Sequence, residues 1–145
     1  MISKAKEKDY PDIIDVWEKS VRATHHFLPE DYLQEIKALL PSILTAIPVY
    51  VFKAENGTIK GILGVAEQKI EMLFIHPDSR GQGVGKLLTR FAIDELKANK
   101  VDVNEQNKQA VGFYLKMGFV QTGRTDTDSM GRPFPLLIME LPSSM

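Results

Sequence analysis

The 145-residue chain is 43% hydrophobic and 26% charged, and its 18 Lys and Arg against 19 Asp and Glu leave a formal net charge of −1. That length and balance predict one globular domain over residues 1–145 and argue against a nucleic-acid surface, which needs clustered basic excess. There is no cysteine, which excludes disulfides, thiolate metal sites and a cysteine nucleophile; no apolar run approaches the roughly 20 residues of a membrane span, and the first residues lack a secretory core, so a cytoplasmic protein is expected.

Residues 2–6 suit a short edge strand, after which Asp9 is placed to cap a helix that tolerates Pro11 in its first turn. Ile13, Ile14, Trp17 and Val21 form the apolar stripe of that helix, which makes Trp17 a core residue. The linker Ala23–Leu28 leads through Pro29 to a second helix with Tyr32, Leu33, Ile36, Leu39, Leu40 and Ile43 at helical spacing. Pro41 should end or bend it. Residues 49–54 are β-branched and aromatic, Asn56-Gly57 signals a turn, and residues 59–66 read as the partner strand. Gly61 and Gly64 within that strand hint at a bulge or a close backbone approach. A turn at Glu67-Gln68 leads to a third strand from Lys69, giving an antiparallel meander.

The stretch from Lys69 to Ala92 organises the rest. An apolar strand stops at Pro77, glycines follow at 81, 83 and 85, and Val84, Leu87, Leu88, Phe91 and Ala92 then recur at helical spacing. Strand, glycine loop and helix in this order present unpaired N–H groups and the positive end of a helix dipole to an anion, most often a phosphate. The helix should reach about Ala98 and be capped at Asn99. A short strand at 101–103 precedes another helix, for which Asn107 is a good N-cap and Gly118 a good C-terminal stop, with Ala110, Phe113, Tyr114 and Met117 along one side. Residues 119–123 and 135–141 should be strands joined by the 126–133 loop. The whole is a mixed α/β domain with a mostly antiparallel sheet flanked by helices.

The glycine loop does not match the two common nucleotide loops. In a Walker A loop Gly85-Lys86 would be followed by a hydroxyl residue, where this chain has Leu87, and Arg80 stands in place of the first glycine. In a dinucleotide fingerprint the third glycine would come one residue later. The spacing Arg80-x-x-Gly83-x-Gly85 instead resembles the acyl-coenzyme A loop of the GNAT superfamily of N-acetyltransferases. The segment from Asn107 through Ala110, Phe113-Tyr114 and Gly118-Phe119 resembles that superfamily's other signature, and the element order agrees over nearly the whole chain. The run Asn104–Asn107 and residues 131–137 further resemble a small bacterial YjaB-like branch.

The resemblance implies an acetyl-CoA-dependent N-acetyltransferase without a metal. Residues Arg80, Gly81, Gln82, Gly83, Val84, Gly85 and Lys86 would then hold the pyrophosphate, chiefly through backbone N–H groups. The Arg80 and Lys86 side chains could equally be solvated surface charges. Leu73, Phe74 and Ile75 would pair their main chain with the pantetheine arm where the strand splays from its neighbour. Asn107 and Tyr114, seven apart and therefore about 10 Å apart along one helix face, would contact that arm and the thioester sulfur. Asn107 could be a cap alone and Tyr114 a core aromatic; the resemblance favours Tyr114 as the general acid to the departing thiolate.

For the base, Glu71 comes first: strict alternation puts it on the face of Leu73 and Ile75, where burial would raise its pKa. Asp102, His25 and His26 are the others, and the amine could arrive already neutral. His25, His26 and Phe27, between the first two helices, fall where the superfamily builds its acceptor site, for a small-molecule or peptide amine. The resemblance also makes a homodimer plausible, with no nucleic-acid or membrane partner. A non-catalytic acyl-CoA-binding or sensing module is the competing expectation.

Overall fold

The computed structural model describes residues 1–142. Its strands are β1 (Ile2–Lys4), β2 (Val49–Lys53), β3 (Ile59–Ala66), β4 (Lys69–Ile75), β5 (Lys100–Asn104), β6 (Val120–Thr125) and β7 (Leu136–Glu140). The helices are α1 (Tyr10–Thr24), α2 (Glu30–Ala46), α3 (Val84–Asp94) and α4 (Lys108–Lys116). One seven-stranded sheet runs in the order β1-β2-β3-β4-β5-β7-β6. Every neighbouring pair is antiparallel except β4 and β5, which run parallel. This is the mixed, mostly antiparallel sheet expected from the sequence.

Alternation along the strands sends apolar side chains to both faces, and each face has its helices. Val49, Val51, Ile62, Met72 and Phe74 pack with Ile13, Trp17 and Val21 of α1 and with Leu40 and Leu44 of α2. Leu63, Leu73, Ile75 and Val103 pack with Val84, Leu88 and Ala92 of α3 and with Tyr114 and Met117 at α4. Trp17 is 3% exposed and belongs to the core.

Two departures from alternation position the site. In the β3–β4 pair, Gly64 faces Met72 while Val65 faces Ile70, so Glu71 is an extra residue without a partner, a β-bulge. Ile70 and Met72 consequently pack on opposite faces of the sheet despite being two apart. Glu71 is exposed, so the buried setting expected from strict alternation is corrected by the bulge. The second departure lies between β4 and β5, which pair only at Lys69 with Lys100 and at Ile70 with Val101. Beyond those pairs the strands part, and among the described residues the β5-side backbone of Leu73–Ile75 has no strand partner.

Gly61 explains how α3 sits so close to this opening. A Cβ at Gly61 would lie 2.8 Å from both Leu88 Cδ1 and Val84 Cγ1, so only a bare backbone lets α3 settle onto β3. Gly61→Val is expected to destabilise the fold by about 1–3 kcal/mol through overpacking. It should also weaken acetyl-CoA binding, because Val84 begins the helix that faces the cleft. Denaturant unfolding and a cofactor titration of the same variant check both effects.

Other local expectations need adjusting. Asp9 stands at the N-cap position of α1, but its side chain makes no cap hydrogen bond there; it closes a short 3-10 turn at Glu7–Asp9 and accepts from the Lys6 N–H at 2.9 Å and from Lys53 Nζ at 3.0 Å. Burial opposes its charge, but these two donors outweigh it and hold the carboxyl below its ordinary value. Pro41 does not end α2, which continues to Ala46; Leu40 and Leu44, each 2% exposed, bury the helix on both sides of the missing hydrogen bond. Helix α3 stops at Asp94, four residues before Ala98. Lys97, with φ of 60°, takes the left-handed conformation assigned to Asn99, and the Ala98 N–H closes on the Ala92 carbonyl.

Candidate active site

The parting of β4 and β5 opens a cleft of about 300 Å³. One wall is the β4 run Leu73–Ile75; the floor toward the loop is Ser79, Arg80, Gly81, Gly83, Val84, Gly85 and Lys86. Asn107, Gln109, Ala110, Phe113 and Tyr114 form the α4 wall, and Ser20, Thr24 and His25 close it at the C-terminal end of α1.

The loop reaches α3 through backbone conformations that suit glycine. Gly81 and Gly83 have φ of 77° and 84°, in the left-handed region that costs a side-chain-bearing residue about 1–2 kcal/mol. Gly83 is the N-cap of α3, and no side chain caps the helix there. The first intrahelical bond runs from the Leu87 N–H to the Gly83 carbonyl, so the N–H groups of Val84, Gly85 and Lys86 have no helical partner. No acidic residue lies in the first turn. An uncapped helix N-terminus without competing carboxylates, opening on a cleft, fits an anionic phosphate group.

Arg80 and Lys86 both line the cleft, and Arg80 Nη2 donates to Gln109 Oε1 at 2.8 Å, bridging the loop to α4. Gln82 lies outside the lining: its side chain is exposed and turns back to the Asp78 carbonyl. Asn107 caps α4, accepting from the Ala110 N–H at 3.3 Å, and also lines the cleft. Its cap uses only the carbonyl oxygen, which leaves the amide nitrogen for a ligand.

Tyr114 is 6% exposed, with its ring edge-on to Phe113 at 5.2 Å and to Phe119 at 5.6 Å. Burial pushes its phenol well above the ordinary tyrosine value, so it stays protonated at neutral pH and can donate. The carboxylates expected as bases do not enter this space. Glu71 stands exposed at the bulge, and Asp102 is engaged by Lys69 Nζ across the parallel pair. Burial works against the charge on Lys69, but the Asp102 hydrogen bond outweighs it and raises the Lys69 pKa.

The residues between α1 and α2 separate. His25 lines the cleft, His26 is exposed, and Phe27 stands one layer back, its ring 5.4 Å from His25 and 5.9 Å from Phe134. Phe134 in turn stacks on Tyr32 at 5.5 Å, and Arg132 lies 4.3 Å above the Tyr32 ring. The Tyr32 hydroxyl donates to Asp128, and Arg132 donates to Glu35 at 2.6 Å. The loop between β6 and β7 is thereby fastened to α2 behind the cleft.

Sequence reasoning did not single out Ser20, Thr24, Ser79, Gln109 and Phe113 as site residues. For Ser20 and Thr24 a signal existed: they follow Trp17 by three and seven residues, so they are polar positions on the apolar stripe of α1. Ser79 is 4% exposed inside a 3-10 turn, and nothing in its sequence context marks it.

A parallel pair that opens beside an uncapped helix N-terminus, with a protonated tyrosine on the facing helix, suits an extended ligand that carries a phosphate. The family description "Acetyltransferase (GNAT) domain" matches residues 20–134, and the chain belongs to this family. It is an N-acetyltransferase. It is 39% identical to a peptidyl-lysine N-acetyltransferase YjaB of Salmonella typhimurium LT2 over 97% of each chain. The solution structure of apo-form YjaB from Escherichia coli superposes with a TM-score of 0.90 at 38% identity, covering 99% of this chain and 98% of that one. A PaiA N-acetyltransferase from Thermoplasma acidophilum, solved in complex with coenzyme A, shares the fold with a TM-score of 0.75 at 22% identity, over 99% and 98% of the two chains.

Proposed function

We propose that the protein binds acetyl-CoA in the β4–β5 opening and transfers the acetyl group to the side-chain amine of a lysine presented by a peptide. The observation that carries this reading is the end of β4–β5 pairing at Ile70 and Val101, which leaves strand backbone free between the α3 N-terminus and Tyr114. The names of the relatives, peptidyl-lysine N-acetyltransferases, support the acceptor.

Acetyl-CoA supplies an activated thioester carbonyl to direct attack by the amine. The N–H groups of Val84, Gly85 and Lys86 hold the pyrophosphate, helped by the dipole of α3 and the charges of Arg80 and Lys86. Main-chain groups of Leu73–Ile75 pair with the pantetheine arm as an added strand would, and the Asn107 amide contacts the same arm. Tyr114 donates its proton to the sulfur as the C–S bond breaks, so coenzyme A leaves as a thiol. The lysine ammonium sheds its proton to solvent; Glu71, exposed at the bulge and outside the cleft lining, is not positioned to take it directly.

With acetyl-CoA and a lysine-containing peptide whose N-terminus is blocked, free thiol and Nε-acetyl-lysine should form in equal amounts. Tight acetyl-CoA binding without peptide acetylation would contradict the reading.

A further inference from the structure

The corner of the cleft formed by α1 contains a histidine with one nitrogen already committed. The Thr24 hydroxyl donates its single hydrogen to the Ser20 carbonyl at 2.9 Å, and the same oxygen lies 2.7 Å from His25 Nδ1. A hydroxyl has one hydrogen to give, so Nδ1 carries the proton in this contact and donates it to Thr24. The neutral ring then has its lone pair on Nε2. The ring is held from behind by Phe27 and, through it, by Phe134.

The surroundings of the ring oppose positive charge. His25 ends α1, whose carbonyls would favour an imidazolium. Burial outweighs them, and together with the charges of Arg80 from the glycine loop and His26 from its own segment it pushes the imidazole down to about 4. Arg80 and His26 are the titratable groups acting on it, and Thr24 and Phe27, which meet the ring, carry no charge. An ammonium brought to this corner meets the same desolvation and the Arg80 guanidinium, and it too is driven toward its neutral form. A neutral amine keeps the lone pair that attack on a thioester requires.

Resting on the reading of the cleft as the acetyl-transfer site, we propose that His25, oriented by Thr24, is the acceptor-orienting residue: its Nε2 accepts an N–H hydrogen bond from a neutral lysine amine and aims the nitrogen lone pair at the thioester carbonyl. The hydrogen bond orients the amine, while desolvation of the corner and the Arg80 guanidinium in the same lining disfavour an ammonium there. His25 takes no proton in the reaction. The ammonium loses its proton to solvent on entry, the C–N bond forms as the C–S bond breaks, the second amine proton leaves to solvent while Tyr114 protonates the sulfur, and the Tyr114 phenolate regains a proton from solvent.

The test compares two acceptors with the wild-type protein: a blocked lysine peptide, and the same peptide with aminoethylcysteine, whose amine ionises at lower pH, in place of lysine. The acceptor kcat/KM should rise with pH along the ionisation of the acceptor itself, and the inflection should move to lower pH with aminoethylcysteine. An inflection at the same pH for both acceptors would assign the proton transfer to an enzyme group and overturn the inference. His25→Phe should lower the acceptor kcat/KM about tenfold or more, the loss of an oriented hydrogen bond, with the acetyl-CoA Kd unchanged. His25→Gln, which returns an acceptor oxygen near the Nε2 position, should recover most of it. A His25→Phe variant that folds, binds acetyl-CoA and acetylates at the wild-type rate would also overturn it. Absence of peptide acetylation by the wild-type protein would instead refute the underlying reading of the cleft.

Discussion

Replacing Tyr114 with Phe is expected to lower kcat by about 10²–10⁴-fold, the usual contribution of a positioned general acid, with little change in acetyl-CoA affinity. The substitution removes one oxygen and keeps the ring that packs against Phe113 and Phe119, so the fold should tolerate it. The phenol is held above its ordinary value by burial, and that value is already about 10. The acid form is therefore complete across the neutral range, and the pH dependence below pH 9 should not report Tyr114. Single-turnover thiol release, measured beside a cofactor titration, separates the lost chemistry from lost binding. A variant that releases thiol at the wild-type rate would remove Tyr114 from the mechanism.

Trp17→Ala is expected to be the most destabilising of these changes, by about 3–5 kcal/mol, the range for removing a buried aromatic side chain. Trp17 joins α1 to the sheet, and its ring meets Phe74 edge-on at 6.4 Å. Phe74 lies within the cleft wall, so the cavity left behind opens directly beneath the strand that is proposed to pair with the cofactor. The denaturant midpoint should fall sharply, and acetyl-CoA should bind more weakly at temperatures where the variant remains folded. Trp17→Phe should lose much less of both. An unchanged midpoint for Trp17→Ala would contradict the place assigned to α1 in the core.

The fold was largely legible because its signals are local. Apolar spacing marked α1, α2 and α3, the Asn56-Gly57 turn separated β2 from β3, and Asn107 and Gly118 bounded α4. The misreadings came where a tertiary contact overrules a local preference. Leu40 and Leu44 carry α2 through Pro41, and the turn at Lys97 ends α3 before Asn99 can. Glu71 is the instructive case for the site. Period-2 alternation holds only while each residue has a partner, and a bulge depends on the register between two strands, which no single-strand pattern reports. Similarly, His25 and His26 are neighbours in an unpatterned linker, and only the end of α1 decides that His25 faces the cleft. The glycine loop was readable because its conformational demand is met by residue type at 81 and 83. The parting of β4 from β5 was expected only through a family resemblance, since hydrogen bonds that strands do not make leave no mark in composition.

Residue-resolved NMR titration of the 16.3 kDa protein with acetyl-CoA tests the central claim most directly. Binding in the strand opening predicts amide shifts concentrated at residues 73–75 and 81–86 and along the cleft face of α4 from Asn107 to Tyr114, with the Val84–Lys86 amides among the most affected. Saturable binding whose shifts fall elsewhere, leaving those three segments unperturbed, would contradict it.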